Sequence, residues 1–379
     1  MIAVRLVGAR VLGPQGWQDR PVTVAEGVFC DMPAREVDLR GFDLLPGIVD
    51  IHGDAFERHM APRRGALRER DAGMWAVAQE LASCGITTAV LAQFWSWEGG
   101  MRGPEFAEEV FRSVVHVAPS VPIDLRLQMR IETHFTDSFA QAEQAMEKYN
   151  ISYVVFNDHL PHERLAAGRT PKRLTGQALK SGRSPEAHLA FMKALHGAGA
   201  QVPAALDALC ARLAARGVIM GSHDEQTTQE REIWRGRGVH VSEFPETMGA
   251  AQAASSVGES VIFGAPNMVR GASHAGNVAA ADVIANGFCD ALASDYHYPS
   301  LARAAWRCVE LGLLDEASAW ALISSGPARI LGLRDRGQIK DGMRADLVIK
   351  ERATGRIFAT LARGHVAYMS GEVAERFFG

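Results

Sequence analysis

Carboxylates and imidazoles recur in this sequence at one kind of place, the polar end of a short apolar run. "LLPGIVDIHGD" closes in His52 and Asp54, and "IDLRLQMRIETH" in Glu132 and His134. "ISYVVFNDH" closes in Asp158 and His159, "GVIMGSHD" in His223 and Asp224, "GVHVSEF" around Glu243, and "ALASD" in Asp295. Zinc and similar divalent ions take these two ligand types. His52 and Asp54 stand two residues apart, so both project from one face of an extended strand and can reach one ion. Asp295 ends an apolar strand, where an unpaired carboxylate is costly to bury and a metal or metal-held water removes that cost. Glu132 has two oxygens, enough to serve two ions. At 158–159 either side chain can be the inward one, and Glu243 reads equally as a ligand or as a helix N-terminal carboxylate. The competing reading of the whole set is a polar network without metal. One or two ions would lower the pKa of a water and neutralise charge on an electrophilic carbonyl or phosphoryl group. Asp295 is placed to take that water's proton, and His274, His297 or an arginine to steady the leaving group.

A basic population accompanies these residues. Arg58, His59, Arg63 and Arg64 follow the first pair, Arg130 lies in the third apolar run, and Arg164 and Lys172 follow the fourth. "GAPNMVRGASHAGN" carries Asn267, Arg270 and His274 in a Gly-rich, helix-opening segment. Arginines around such a turn suit a phosphorylated ligand, and Arg63 and Arg270 are the strongest candidates. No GxGxxG after a strand, GxxxxGK[ST] or GxSxG occurs, which argues against dinucleotide, P-loop and serine-hydrolase chemistry.

Such an arrangement needs strands whose C-terminal ends converge. Candidate strands cover 44–52, 85–93, 123–132, 151–158, 217–223, 238–244, 260–267 and 288–295, with helical stretches in most gaps, one opening at Ser184-Pro185. Eight alternations predict an α/β chain with a (β/α)8 TIM-like barrel over 44–332, and six of those strands then aim ligands at one mouth. Residues 1–43 and 333–379 read as short half-buried strands, predicting a small β-sandwich-like domain built from both chain ends. The chain has 379 residues, 47% hydrophobic and 22% charged, with 40 basic against 44 acidic side chains. A net charge of −4 gives no global case for nucleic acid or an anionic membrane. Five scattered cysteines form no CxxC pair, and no apolar run reaches 18 residues, so the expectation is a cytoplasmic enzyme with reduced thiols.

With these residues in view, the sequence resembles the amidohydrolase superfamily. "LLPGIVDIHGD", "GITT", the terminal barrel-strand aspartate and "GQIKDGMRADLVI" carry the likeness. "GSHD", "EFP", "GAPNMVRGASHAGN" and "SDYHYPSL" are similar to its PhnM-like diphosphatase branch, of phosphonate catabolism. The resemblance implies a metal-dependent barrel that hydrolyses α-D-ribose 1-methylphosphonate 5-triphosphate to the 5-phosphate and pyrophosphate. It implies His52, Asp54, Glu132, His159, His223 and Asp295 as metal residues, with Asp295, Glu132 and His274 catalytic. Arg58, Arg63, Asn267, Arg270 and His297 would hold the substrate, a small phosphorylated sugar phosphonate. The cofactor would be one or two divalent ions, zinc first, then manganese, iron or nickel; copies of the same chain are the expected assembly partner. The superfamily usually carries HxH on strand one and often a lysine on strand four. Here strand one has His-x-Asp and "VVFNDH" has no lysine, so Glu132 answers for it. The alternative reading is an amidohydrolase or deacetylase cleaving a C–N bond of a small substrate, phosphorylated or not.

Overall fold

A computed structural model describes residues 1–61, 69–271 and 276–379. Seven short strands open the chain: β1 (Val4–Val7), β2 (Arg10–Gly13), β3 (Gly16–Gln18), β4 (Val22–Ala25), β5 (Val28–Cys30), β6 (Arg35–Asp38) and β7 (Phe42–Pro46). Eight more follow: β8 (Ile48–Gly53), β9 (Ile86–Trp95), β10 (Asp124–Glu132), β11 (Tyr153–Asn157), β12 (Ile219–His223), β13 (Val241–Glu243), β14 (Ser260–Gly264) and β15 (Ala291–Ala293). The last three are β16 (Leu347–Glu351), β17 (Ile357–Ala362) and β18 (His365–Met369).

Strands β8 to β15 form one sheet in which neighbours in space are neighbours in sequence. An isolated parallel bridge between Gly53 and Asp295 joins the last strand to the first, making the expected (β/α)8 barrel nearly closed. Every residue of β8 and β9 is buried, as strands packed on both faces require. Connecting helices begin where the side-chain chemistry prescribes. Ser184 caps Pro185–Gly197, Thr227 caps Thr228–Gly236 and Thr247 caps Met248–Ser255, each accepting a backbone N–H three residues on.

One expectation is corrected. The run 44–52 is not a single barrel strand but two strands in different sheets, since β7 pairs antiparallel with β16 while β8 starts the barrel. Gly47 makes the break: a Cβ there would lie 2.5 Å from Thr87 Oγ1, and its N–H donates to the Asp346 carbonyl at 2.9 Å. The strands expected over 238–244 and 288–295 are also shorter, three residues each. The one expected over 260–267 ends at Gly264, where a helix with Pro266 in its first turn begins.

By internal contacts the chain divides into two compact units, Met1–Leu91 with His116–Arg126 and Ser260–Gly379, and Ala92–Val115 with Leu127–Glu259. In the first, two small sheets, β5-β4-β1-β6 and β18-β17-β16-β7-β2-β3, form the auxiliary β structure from both chain ends. They share one core, including Leu6, Val24, Leu44, Leu347, Leu361 and Phe377. Asp43 is buried at its edge, bonded to Arg10 at 2.9 and 3.0 Å and paired with Lys350 and Arg352 at 3.3 and 3.2 Å. Burial pushes its carboxyl up, but the Arg10 hydrogen bonds and the Lys350 and Arg10 charges outweigh this and hold it below the usual carboxylate range. Because the folded value is depressed, the stabilisation is present above the ordinary aspartate pKa and lost as pH falls through the folded one. Asp43→Ala should cost about 3 kcal/mol at neutral pH in denaturant unfolding. The gap to the parent should close in acid; a gap independent of pH would contradict this account.

Candidate active site

In the first unit, His52 is the penultimate residue of β8 and wholly buried. The chain ends of β8 and β15 are laced together. The Asp295 N–H donates to the His52 carbonyl at 3.0 Å and the Asp54 N–H to the Asp295 carbonyl at 2.9 Å. This close approach explains the middle residue of His-Gly-Asp. A Cβ on Gly53 would sit 2.8 Å from both Asp50 Oδ2 and Ser294 Oγ and 2.9 Å from Tyr298 Cε1. Asp295 adopts a left-handed backbone, φ 55°, uncommon outside glycine and tolerated best by Asn and Asp. The turn carries ligand atoms of His52, Asp54 and Asp295 to within 4.8 Å of one another. One imidazole nitrogen and two carboxylate oxygens are a donor set that fits a divalent ion. Behind them Asp50 accepts from the Ser294 hydroxyl at 2.6 Å and its amide at 3.0 Å. Burial pushes the Asp50 carboxyl up to about 6, with those bonds opposing.

The second unit holds another grouping, Glu98, Glu132 and His159, also with ligand atoms within 4.8 Å. Glu132 ends β10, is fully buried, and accepts from Trp97 Nε1 at 3.2 Å and the His159 amide at 3.1 Å. Its other oxygen bonds His159 Nδ1 directly, while Glu98 lies 3.9 Å from that nitrogen. Burial lowers the His159 pKa, but the Glu132 charge and bond win, so the ring sits above the usual histidine value. At the ends of β12 and β13, His223 Nδ1 is 2.9 Å from Glu243 and Nε2 is 3.0 Å from the Arg130 guanidinium. Glu243 also accepts from Gln128 at 3.0 Å and the Tyr153 hydroxyl at 3.2 Å. Its bond to His223 sets the orientation of the imidazole, and the cap of the next helix is Thr247, not Glu243. Burial, with Arg130 adding to it against Asp224, keeps His223 below the usual histidine value. Arg130, read from the sequence only as one of several basic residues, is buried over the Phe94 ring at 4.0 Å.

Several expected substrate contacts are engaged elsewhere. Arg58 pairs with Glu80, as His59 does at 2.6 Å. Asn267 accepts from the Ala280 amide at 3.1 Å and donates to the Val278 carbonyl at 3.3 Å. Arg164 bonds the Thr170 carbonyl of its own loop at 2.8 and 3.2 Å. Arg270 and His297 are exposed. Arg63, Arg64 and His274 lie outside the described residues. Glu98 was missed by the strand-end reading because β9 continues to Trp95, past the expected end at 93, and presents Glu98 on the turn beyond.

No protein-family model matches the sequence. The chain is 30% identical over 331 residues to the α-D-ribose 1-methylphosphonate 5-triphosphate diphosphatase of Escherichia coli K12, covering 85% of this chain and 86% of that one. Identity of that order over that span places the two in one family. The chain belongs to the amidohydrolase superfamily. Superfamily architecture is shared with the solved structure of an amidohydrolase from a Sargasso Sea environmental sample, at TM-score 0.65 and 13% identity, covering 99% and 96% of the two chains. It is shared also with N-acetylglucosamine-6-phosphate deacetylase from Pasteurella multocida, at TM-score 0.62 and 9% identity, covering 96% and 99%. With side chains grouped as a metal site requires, this superfamily member is a metal-dependent hydrolase. Among the described residues no helix is long and apolar enough to cross a membrane.

Proposed function

We propose that the chain hydrolyses a C–N bond, an amide or cyclic amide, in a small phosphorylated substrate, using divalent ions of the zinc class. The observation that carries metal-dependent hydrolysis is the convergence of His52, Asp54 and Asp295. Those three are the proposed ligands in the first unit, and Glu132, His159 and His223 in the second. When bound, such an ion lowers the pKa of a water and polarises the substrate carbonyl. Asp295 takes the proton of the attacking water and returns it to the departing nitrogen. His52 and Glu132, both fully buried, fix their ligand atoms against rearrangement. The N-acetylglucosamine-6-phosphate deacetylase that shares the fold supports a phosphorylated substrate with a C–N scissile bond.

A second reading rests on the 30% identity to the diphosphatase, an enzyme named for a ribosyl triphosphate substrate. In that reading the water attacks phosphorus and pyrophosphate leaves. Parallel assays on the metal-loaded protein separate the two. N-acyl amino-sugar phosphates and cyclic amides are followed by amine release or ring opening, and α-D-ribose 1-methylphosphonate 5-triphosphate by pyrophosphate release. Amine release or ring opening is expected; turnover confined to pyrophosphate release would overturn the first reading in favour of the second.

Either substrate brings phosphate, and Arg270, exposed at the end of helix Ala265–Arg270, is the proposed contact. Losing a charge-assisted bond of about 1.5 kcal/mol raises KM about tenfold. Arg270→Ala should do so with kcat retained, and unchanged saturation would remove Arg270 from the site.

A further inference from the structure

Beside the Glu132 grouping, the second unit holds a cluster that shares no residue with the ligands proposed above. His134 lies two residues beyond β10, and Asp158 is the first residue beyond β11. His162 opens the helix His162–Ala166, and His196 lies in the last turn of helix Pro185–Gly197. Asp158 Oδ2 is 3.0 Å from His162 Nε2 and 3.4 Å from His134 Nδ1, and the ligand atoms of the three residues all lie within 4.8 Å of one another. Ligands held about 2.0–2.1 Å from a tetrahedral zinc stand about 3.3 Å apart, so the two separations measured from Asp158 straddle that edge.

The other ring nitrogen of His162 completes the pattern. His162 Nδ1 is 2.8 Å from His196 Nδ1, so one of these nitrogens carries the shared proton. With that proton on His162, its Nε2 lone pair faces Asp158. This is how a ligating histidine is set, one nitrogen on the ion and the other donating outward. His196 is then the outer partner and not a ligand.

The setting admits an ion from solvent. Asp158 and His162 side chains are 39% and 35% exposed, whereas His134 is 12% exposed. Beneath the cluster, Leu160 and Leu165 pack with Trp97, Leu174 and Met192 in one apolar group. That packing fixes the short segment from Asp158 to the helix His162–Ala166 and hence the spacing of the polar atoms above it.

We propose that His134, Asp158 and His162 form an additional site for a zinc-class divalent cation, with water as the fourth ligand. It clips the helices that follow β11 to the ends of β10 and β11. The inference does not depend on the hydrolytic reading, because its readout is bound metal and not turnover.

The test is zinc per chain in the full-length protein, titrated with Zn²⁺ alone and measured by elemental analysis after removal of free ion. The His134→Ala/His162→Ala double variant should bind one zinc fewer than the parent. It should also lose part of the zinc-dependent rise in unfolding midpoint. Asp158→Asn, nearly isosteric, should show the same deficit and serves if the double variant does not fold. Equal zinc counts in parent and variant would overturn the proposal.

Discussion

Asp295→Asn is expected to lower turnover by about 10³-fold, the scale of losing a positioned general base, while the barrel stays folded. What ties Asp295 to β8 is backbone, its amide to the His52 carbonyl and its carbonyl to the Asp54 amide, and both survive the exchange. Asparagine tolerates the left-handed conformation at this position as well as aspartate does. The side chain loses its charge and with it the capacity to take a proton and to neutralise a cation shared with His52 and Asp54. Steady-state kinetics alongside a thermal melt check both halves. Near-normal turnover would remove Asp295 from the reaction, and collapse of the melt would give it a structural role instead.

Arg231→Ala is expected to cost about 5 kcal/mol, the upper end of breaking a buried ion pair from one side. The Arg231 side chain is fully buried and pairs with Glu225 at 2.6 Å and Glu259 at 3.2 Å. It also donates to the Ser222 hydroxyl at 2.8 Å and to the Val239 carbonyl. Glu225 in turn accepts from Ser222 and, at 2.8 Å, from Ser242. Burial already raises the Glu225 pKa, with Arg231 the main opposing influence. The network therefore fixes the residues just before His223 and Glu243, and its loss should lower activity as well as stability. Denaturant unfolding measures the first effect. Arg231→Met/Glu225→Gln, which discards charge on both sides, should recover much of the loss. A single-variant cost below about 1 kcal/mol would contradict the network's assigned weight.

The barrel was legible because its strands are buried on both faces and so appear as uninterrupted apolar runs. That same property hid the junction at Gly47. Leu44 and Leu45 look identical in sequence to Ile48 and Val49, and only pairing with β16, some 300 residues on, assigns them to another sheet. Strand-end reasoning found His52, Asp54 and Asp295 because the polar residue after an apolar run is local information. It left Glu243 open, since its hydrogen-bond partners His223, Gln128 and Tyr153 arrive from other strands. Arg58, close to His52 and Asp54 in sequence, pairs with Glu80 on the helix Arg70–Ser83, a contact that no local pattern announces. Local sequence shows which residue ends an element and is silent where two elements must meet.

The most direct test of the account is metal content against activity in the full-length protein. Divalent metal per chain is measured before and after dialysis against a chelator, in parallel with hydrolysis of the substrate that turns over. Bound metal is expected in the parent, with loss of hydrolysis on its removal and recovery on adding zinc-class ions. Less metal is expected in His52→Ala. Full hydrolysis by thoroughly metal-depleted protein would contradict the account.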